Sequence, residues 1–179
     1  MRKLIESTYV TLDGTINEPQ NWSLKYFDDE YANYAGELLF GADALVLGRE
    51  TYEGFAPAWM SRSGDPFTDR INEMPKHVAS TTLTGDLEWN STVLPGDAVE
   101  AVRDLKAQDG KNLMKYGTGS FSKALLAANL VDEFHFWVFP VIAGRGDRLF
   151  DGLDTTHLQH LGSTTFKSGV VVHKLGPKS

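Results

Sequence analysis

The chain has 179 residues, 41% of them hydrophobic and 23% charged, which fits one domain with its own core and excludes a disordered chain. Its 17 basic and 24 acidic residues give a net charge of −7, so it lacks the basic footprint of a nucleic-acid binder. The absence of cysteine excludes disulfides, thiolate metal sites and cysteine nucleophiles, and no apolar run approaches the ~18–20 residues that span a bilayer.

At the N-terminus, Glu6 falls where a secretion signal needs its apolar stretch, so a cytoplasmic protein without membrane partners is expected. Residues 4–11 read as a strand rich in β-branched side chains. Residues 13–25, with Gly14, Pro19 and Trp22, form the longest irregular stretch, of a length often found in covering loops. Residues 28–40 predict a helix, because Tyr31, Tyr34, Ala35, Leu38 and Leu39 recur at helical spacing behind an acidic first turn. Residues 44–47 predict a short buried strand closed by Gly48, with a helix opening at Arg49. Asp65 and Pro66 read as an N-cap and first helical residue, opening a short helix that runs to Met74.

Residues 77–81 predict a further strand. Asp97 and Glu100 have capping-box spacing, opening a helix that ends before Gly110. Residues 112–116 read as a strand running into Gly117, Thr118, Gly119 and Ser120, then a helix to Leu130 with Phe121, Ala124, Leu125 and Ala128 inward. Residues 134–141, 157–166 and 169–175 predict strands, the last two a hairpin. Alternating strands and helices predict a three-layer α/β/α domain over residues 1–179, its mostly parallel sheet extended by a C-terminal antiparallel hairpin.

Ligands of open α/β sheets bind beyond the carboxyl ends of the strands. Two turns, after Leu47 and after Tyr116, put glycine and hydroxyl residues at helix N-termini, where free N–H groups and the helix dipole favour phosphate. Ser80 and Thr81 add hydroxyls at another strand end. Each feature alone serves equally to end a strand or cap a helix; together they point to a dinucleotide. The segment Gly117-Thr118-Gly119-Ser120-Phe121-Ser122 narrowly misses the Rossmann fingerprint, and Ser122-Lys123-Ala124 departs from a P-loop at two of three residues. The five histidines lack metal-ligand spacing. Trp22 and Trp59 are candidates to line a flat ligand, or simply to pack.

The ordered segments Thr11-Leu12-Asp13-Gly14, Gly48-Arg49-Glu50-Thr51-Tyr52-Glu53, Ser80-Thr81-Thr82, Gly117-Thr118-Gly119-Ser120 and Pro140-Val141-Ile142-Ala143-Gly144-Arg145-Gly146 resemble the dihydrofolate reductase-like superfamily. The nearer resemblance is to the reductase domain of the riboflavin-biosynthesis deaminase–reductase, here as a free-standing domain. That resemblance implies NADPH binding at the carboxyl edge and hydride transfer to a small pteridine- or pyrimidine-like, carbonyl or imine substrate. It matches Gly48, Arg49 and Thr51 to the coenzyme-phosphate turn, Ser80 and Thr81 to the strand end beside the adenosine phosphate, and Gly117, Thr118, Gly119 and Ser120 to the pyrophosphate turn. Residues 13–22 match a loop covering nicotinamide and substrate, with Trp22 lining the site; Asp13 is the candidate proton donor or substrate-orienting group. A homodimer joined through the C-terminal strands is implied. Thr118 separates two glycines that are adjacent in dihydrofolate reductases, and none of Asp28, Asp29, Glu30 or Glu37 clearly matches their pterin-facing carboxylate. The rival readings are a dimeric ligand-binding module of this fold without turnover, and a P-loop-type phosphotransferase.

Overall fold

The computed structural model describes residues 1–178. Eight strands form one sheet: β1 (Leu4–Thr11), β2 (Ala42–Gly48), β3 (Lys76–Ala79), β4 (Ser91–Val93), β5 (Asn112–Tyr116), β6 (Glu133–Phe139), β7 (Leu158–Thr165) and β8 (Val171–Pro177). Their order is β4-β3-β2-β5-β1-β6-β8-β7. The first six strands in the chain run parallel, while β8 lies antiparallel to both β6 and β7. The mixed sheet with its terminal hairpin is the one the sequence predicts.

Helices α1 (Asp29–Phe40), α2 (Arg49–Met60) and α3 (Pro66–Glu73) cover one face, and α4 (Ala98–Ala107) and α5 (Ser120–Ala127) the other. Successive residues of β2 serve opposite cores, which is why it reads as an unbroken apolar run: Leu45 and Leu47 pack with Ile71 and Met74, whereas Val46 packs with Val102 and Leu125. A third, aromatic cluster joins Tyr31 of α1 to Trp137, Phe139 and Phe166. Aspartates cap the helices as their spacing predicts: Asp28 accepts from the Tyr31 amide at 2.8 Å and Asp65 from that of Thr68 at 3.0 Å. At α4 only half of the capping box forms, because Asp97 accepts from Glu100 while the Glu100 carboxylate turns to Arg103.

Apart from shifts of one or two residues at other element ends, such as β6 ending at Phe139 and β8 at Pro177, the structure departs from the sequence expectations in three places. β3 stops at Ala79 because the Ser80 hydroxyl accepts from the amides of Thr82 and Leu83 and turns the chain. The helix after β5 ends at Ala127, with Asn129 left-handed at φ 55°, and its inward face carries Ser122 and Leu125, not Ala124. β4 was not anticipated.

Two histidines and one carboxylate make the fold sensitive to acid. Burial depresses the imidazoles of His77 and His135 below their ordinary 6.5. For Glu133, burial alone would raise the carboxyl, but bonds from Lys3, Lys174 and His135 outweigh it and hold it at about 2 against an ordinary 4.5. All three are depressed, so their contributions are full above the unfolded values and vanish as pH falls through the folded ones. Thermal stability should therefore fall first below pH 6.5 and again below 4.5; a melting temperature flat from neutrality to pH 4 would contradict this.

Candidate functional site

β2 and β5 are neighbours, yet α2 leaves β2 toward one face of the sheet while α5 leaves β5 toward the other. In open α/β sheets such a divergence is where the ligand crevice lies, at the carboxyl edge, and here two helix N-termini stand beside it. The turns are in contact: a Cβ built on Gly117 would lie 2.8 Å from Thr51 Oγ1. β2 and β3 end level, Gly48 pairing with Ala79, so Ser80 and Thr81 emerge next to Arg49. The structure thus gathers the Gly48–Thr51, Ser80–Thr81 and Gly117–Ser120 turns along three adjacent strands.

The glycines here differ in what they are for. Gly117 sits at φ 75° with no room for a side chain, so the fold itself requires glycine. Gly48 (φ −75°) and Gly119 (φ −168°) have backbones any residue adopts, and an added Cβ at either meets nothing within 4 Å. Nothing within the chain demands glycine at these two positions; what they provide is open space above the helix N-termini.

Beneath the later turn lies a buried ion pair that sequence reasoning missed. Lys115 and Glu6, 2% and 0% exposed, are register partners on β5 and β1, 3.3 Å apart. Lys115 Nζ also donates to the Gly117 carbonyl at 2.5 Å and to Ser122 Oγ at 2.7 Å. Thr118 Oγ1 donates to Glu6 Oε1 at 2.6 Å and meets Thr8 Oγ1 at 2.7 Å. The Thr118 hydroxyl therefore points into the protein and fixes the turn, leaving backbone amides and the exposed Ser120 to face outward. Ser122 completes the turn by accepting from the Gly119 amide at 3.3 Å.

The other candidate residues have clear surroundings. Arg49 opens α2 and makes an exposed pair with Glu53 at 3.3 Å, a contact of a kind that constrains a side chain little. The Ser80 hydroxyl is occupied by its own turn. Trp22 lies two strands away from β5, edge-on to Phe139 at 5.2 Å with Nε1 donating to the Asn17 carbonyl, and so anchors the 13–27 segment over β1 and β6. Trp59 packs on Phe67 at 5.6 Å. Asp13 accepts from Thr11 Oγ1 at 2.6 Å and from the amides of Ala143 and Gly144 at 3.0 and 2.7 Å, while its carbonyl accepts from Arg148. These bonds, that of Thr11 foremost, drive its carboxyl far below the usual carboxylate range. Asp13 is held as an anion that ties residues 143–148 to the end of β1.

Residues 2–172 match the model of the RibD C-terminal domain. The chain belongs to that family. Among its relatives are the uncharacterised proteins YyaP and YwjB of Bacillus subtilis (strain 168), 27% and 26% identical, with alignments covering 95% and 96% of this chain and 92% and 97% of theirs. A putative riboflavin biosynthesis protein from Shewanella sp. PV-4 has a similar structure, with a TM-score of 0.73 at 22% identity and 99% coverage of both chains. The diaminohydroxyphosphoribosylaminopyrimidine deaminase/5-amino-6-(5-phosphoribosylamino)uracil reductase of Thermotoga maritima matches with a TM-score of 0.70 at 17% identity, over 99% of this chain and 57% of that one. This RibD C-terminal chain thus has a reductase-type fold. Among its described residues no helix is long and apolar enough to cross a membrane.

Proposed function

We propose that this RibD C-terminal domain is a reductase that binds a nicotinamide dinucleotide, NADPH by family resemblance, with the diphosphate between the N-termini of α2 and α5. The observation that carries the reading is the contact of Thr51 with Gly117 beneath Gly48 and Gly119, whose backbones need no glycine. Free amides at two helix starts and the Ser120 hydroxyl suit the diphosphate, and Arg49 and Ser80–Thr81 flank it toward the adenosine end. The bound coenzyme would supply hydride, for which a small heterocycle, carbonyl or imine is the acceptor class. The 13–27 segment, anchored by Trp22, covers the nicotinamide end.

In this reading Asp13 is a positioning residue, not the proton source. An ionised carboxylate that already accepts three hydrogen bonds has no proton to give. Asp13→Asn should loosen residues 143–148 and lower turnover while leaving coenzyme affinity within about threefold, since a loop tie contributes little to diphosphate contacts. The pH profile of the unaltered enzyme should show no limb from this carboxyl above its ordinary value of 3.8. A limb removed by Asp13→Asn would contradict that assignment.

A homodimer through the C-terminal strands belongs to the same proposal, since β7 ends the sheet with exposed side chains, Leu161 among them at 43%. The test of function is titration with NADPH followed by tryptophan fluorescence, then coenzyme oxidation across pteridines, pyrimidines, carbonyl compounds and quinones. Saturation at roughly micromolar coenzyme with oxidation of one class is expected. No saturable binding would overturn the reading; tight binding with no oxidation would leave a coenzyme-binding module in place of an enzyme.

A further inference from the structure

A second cleft, of about 420 Å³, lies at the opposite, amino end of the sheet, between α1 and the starts of β1 and β6. Its apolar side is formed by Ile5, Leu38 and the ring of Tyr34, and its rim carries Lys3, Lys174, Glu37 and Asn112. Behind them runs a chain of polar contacts that the coenzyme site does not use. Tyr34 Oη lies 2.7 Å from His135 Nδ1, and His135 Nε2 lies 3.3 Å from Glu133 Oε2. Lys3 and Lys174 both close on the same carboxylate, at 2.8 and 2.9 Å.

The chemistry of this cluster favours holding a ligand over transforming one. Glu133, ionised, only accepts, so His135 carries its ring hydrogen on Nε2 and accepts the Tyr34 hydroxyl hydrogen at Nδ1. His135 is 3% exposed and kept neutral, and burial pushes Tyr34 up to about 12, so neither is a ready acid or base at neutral pH. Lys3 and Lys174 each spend one of three ammonium hydrogens on Glu133, so both keep donors free at the mouth. With Glu37 the lining carries two positive and two negative charges, so a ligand bearing more than one negative charge is disfavoured.

We propose that this amino-end cleft is a binding site for a small organic monocarboxylate with a flat apolar body. The ligand's carboxylate meets Lys3 and Lys174, and its body lies along Ile5, Leu38 and Tyr34. The site is separate from the coenzyme crevice and does not depend on the reading given to it.

The probe is benzoate, followed by backbone-amide NMR shifts, with inorganic phosphate as the comparison anion. Benzoate should give saturable shifts at Ile5, Tyr34, Leu38 and His135, and Lys174→Met should weaken it about tenfold, the worth of one charge-assisted hydrogen bond. Phosphate should not saturate these amides. Because Lys174 also holds Glu133, Lys174→Arg serves as a second variant that keeps the charge and should retain benzoate binding. The proposal is overturned by absent saturation, by phosphate binding as well as benzoate, or by equal affinity in the Lys174→Met protein.

Discussion

Lys115→Met should destabilise the protein by about 3–5 kcal/mol, the usual penalty for removing one partner of a buried ion pair. The reason lies in what remains. Glu6 is fully enclosed, and without Lys115 its carboxylate keeps only the Thr118 hydroxyl. The Gly117 carbonyl and Ser122 hydroxyl lose their shared donor at the same time, so the turn that presents the α5 N-terminus slackens. Coenzyme binding should fall with stability. Glu6→Gln tests the same pair from the other side; combined with Lys115→Met it removes both charges and should recover part of the lost stability. Denaturant unfolding of the three variants and the unaltered protein measures the coupling. Additive losses would show that the pair does not act as a unit.

The second large effect is expected on binding, with the fold left intact. Gly48→Ala and Gly119→Ala should change stability by no more than about 0.5 kcal/mol, because each backbone suits any residue and each new methyl enters open space. Each should weaken NADPH at least roughly tenfold, since a methyl above a helix N-terminus keeps a phosphate from the amides. Gly117→Ala makes the contrast. Its φ of 75° and the Thr51 hydroxyl, 2.8 Å from where the new methyl would sit, put the cost into folding, about 1–3 kcal/mol. Melting curves and coenzyme titrations of the three variants separate a glycine needed by the fold from glycines needed by a ligand. Unchanged affinity in both Gly48→Ala and Gly119→Ala would remove the crevice as the diphosphate site.

Where these effects could be read from sequence depends on how far apart the interacting residues lie. Helix starts at Asp28, Asp65 and Asp97 are local, a side chain bonding an amide two or three residues ahead, and spacing alone reveals them. The two glycine turns are local as well, and their place at strand ends follows from the α/β alternation. β4 escaped because it has only three residues and follows Trp89 and Asn90, both at positive φ, a backbone path without a hydrophobic period.

The ion pair escaped for a different reason. Glu6 and Lys115 look like ordinary polar residues in strands until β5 is known to insert between β2 and β1, which makes them register partners. The same holds for Asp13, whose turn is visible locally while the amides it binds, Ala143 and Gly144, lie about 130 residues on. In His135 the sequence shows a strand residue; that it lies inside a Tyr–His–Glu chain depends on α1 crossing β6 at Tyr34.

The most direct measurement is a crystal structure of the protein soaked with NADPH. Dinucleotide density is expected with its diphosphate between the amides that open α2 and α5, its adenosine end toward Ser80 and its nicotinamide toward the 13–27 segment. Density for the diphosphate anywhere else on the molecule would contradict it, as would a crevice left empty at saturating coenzyme.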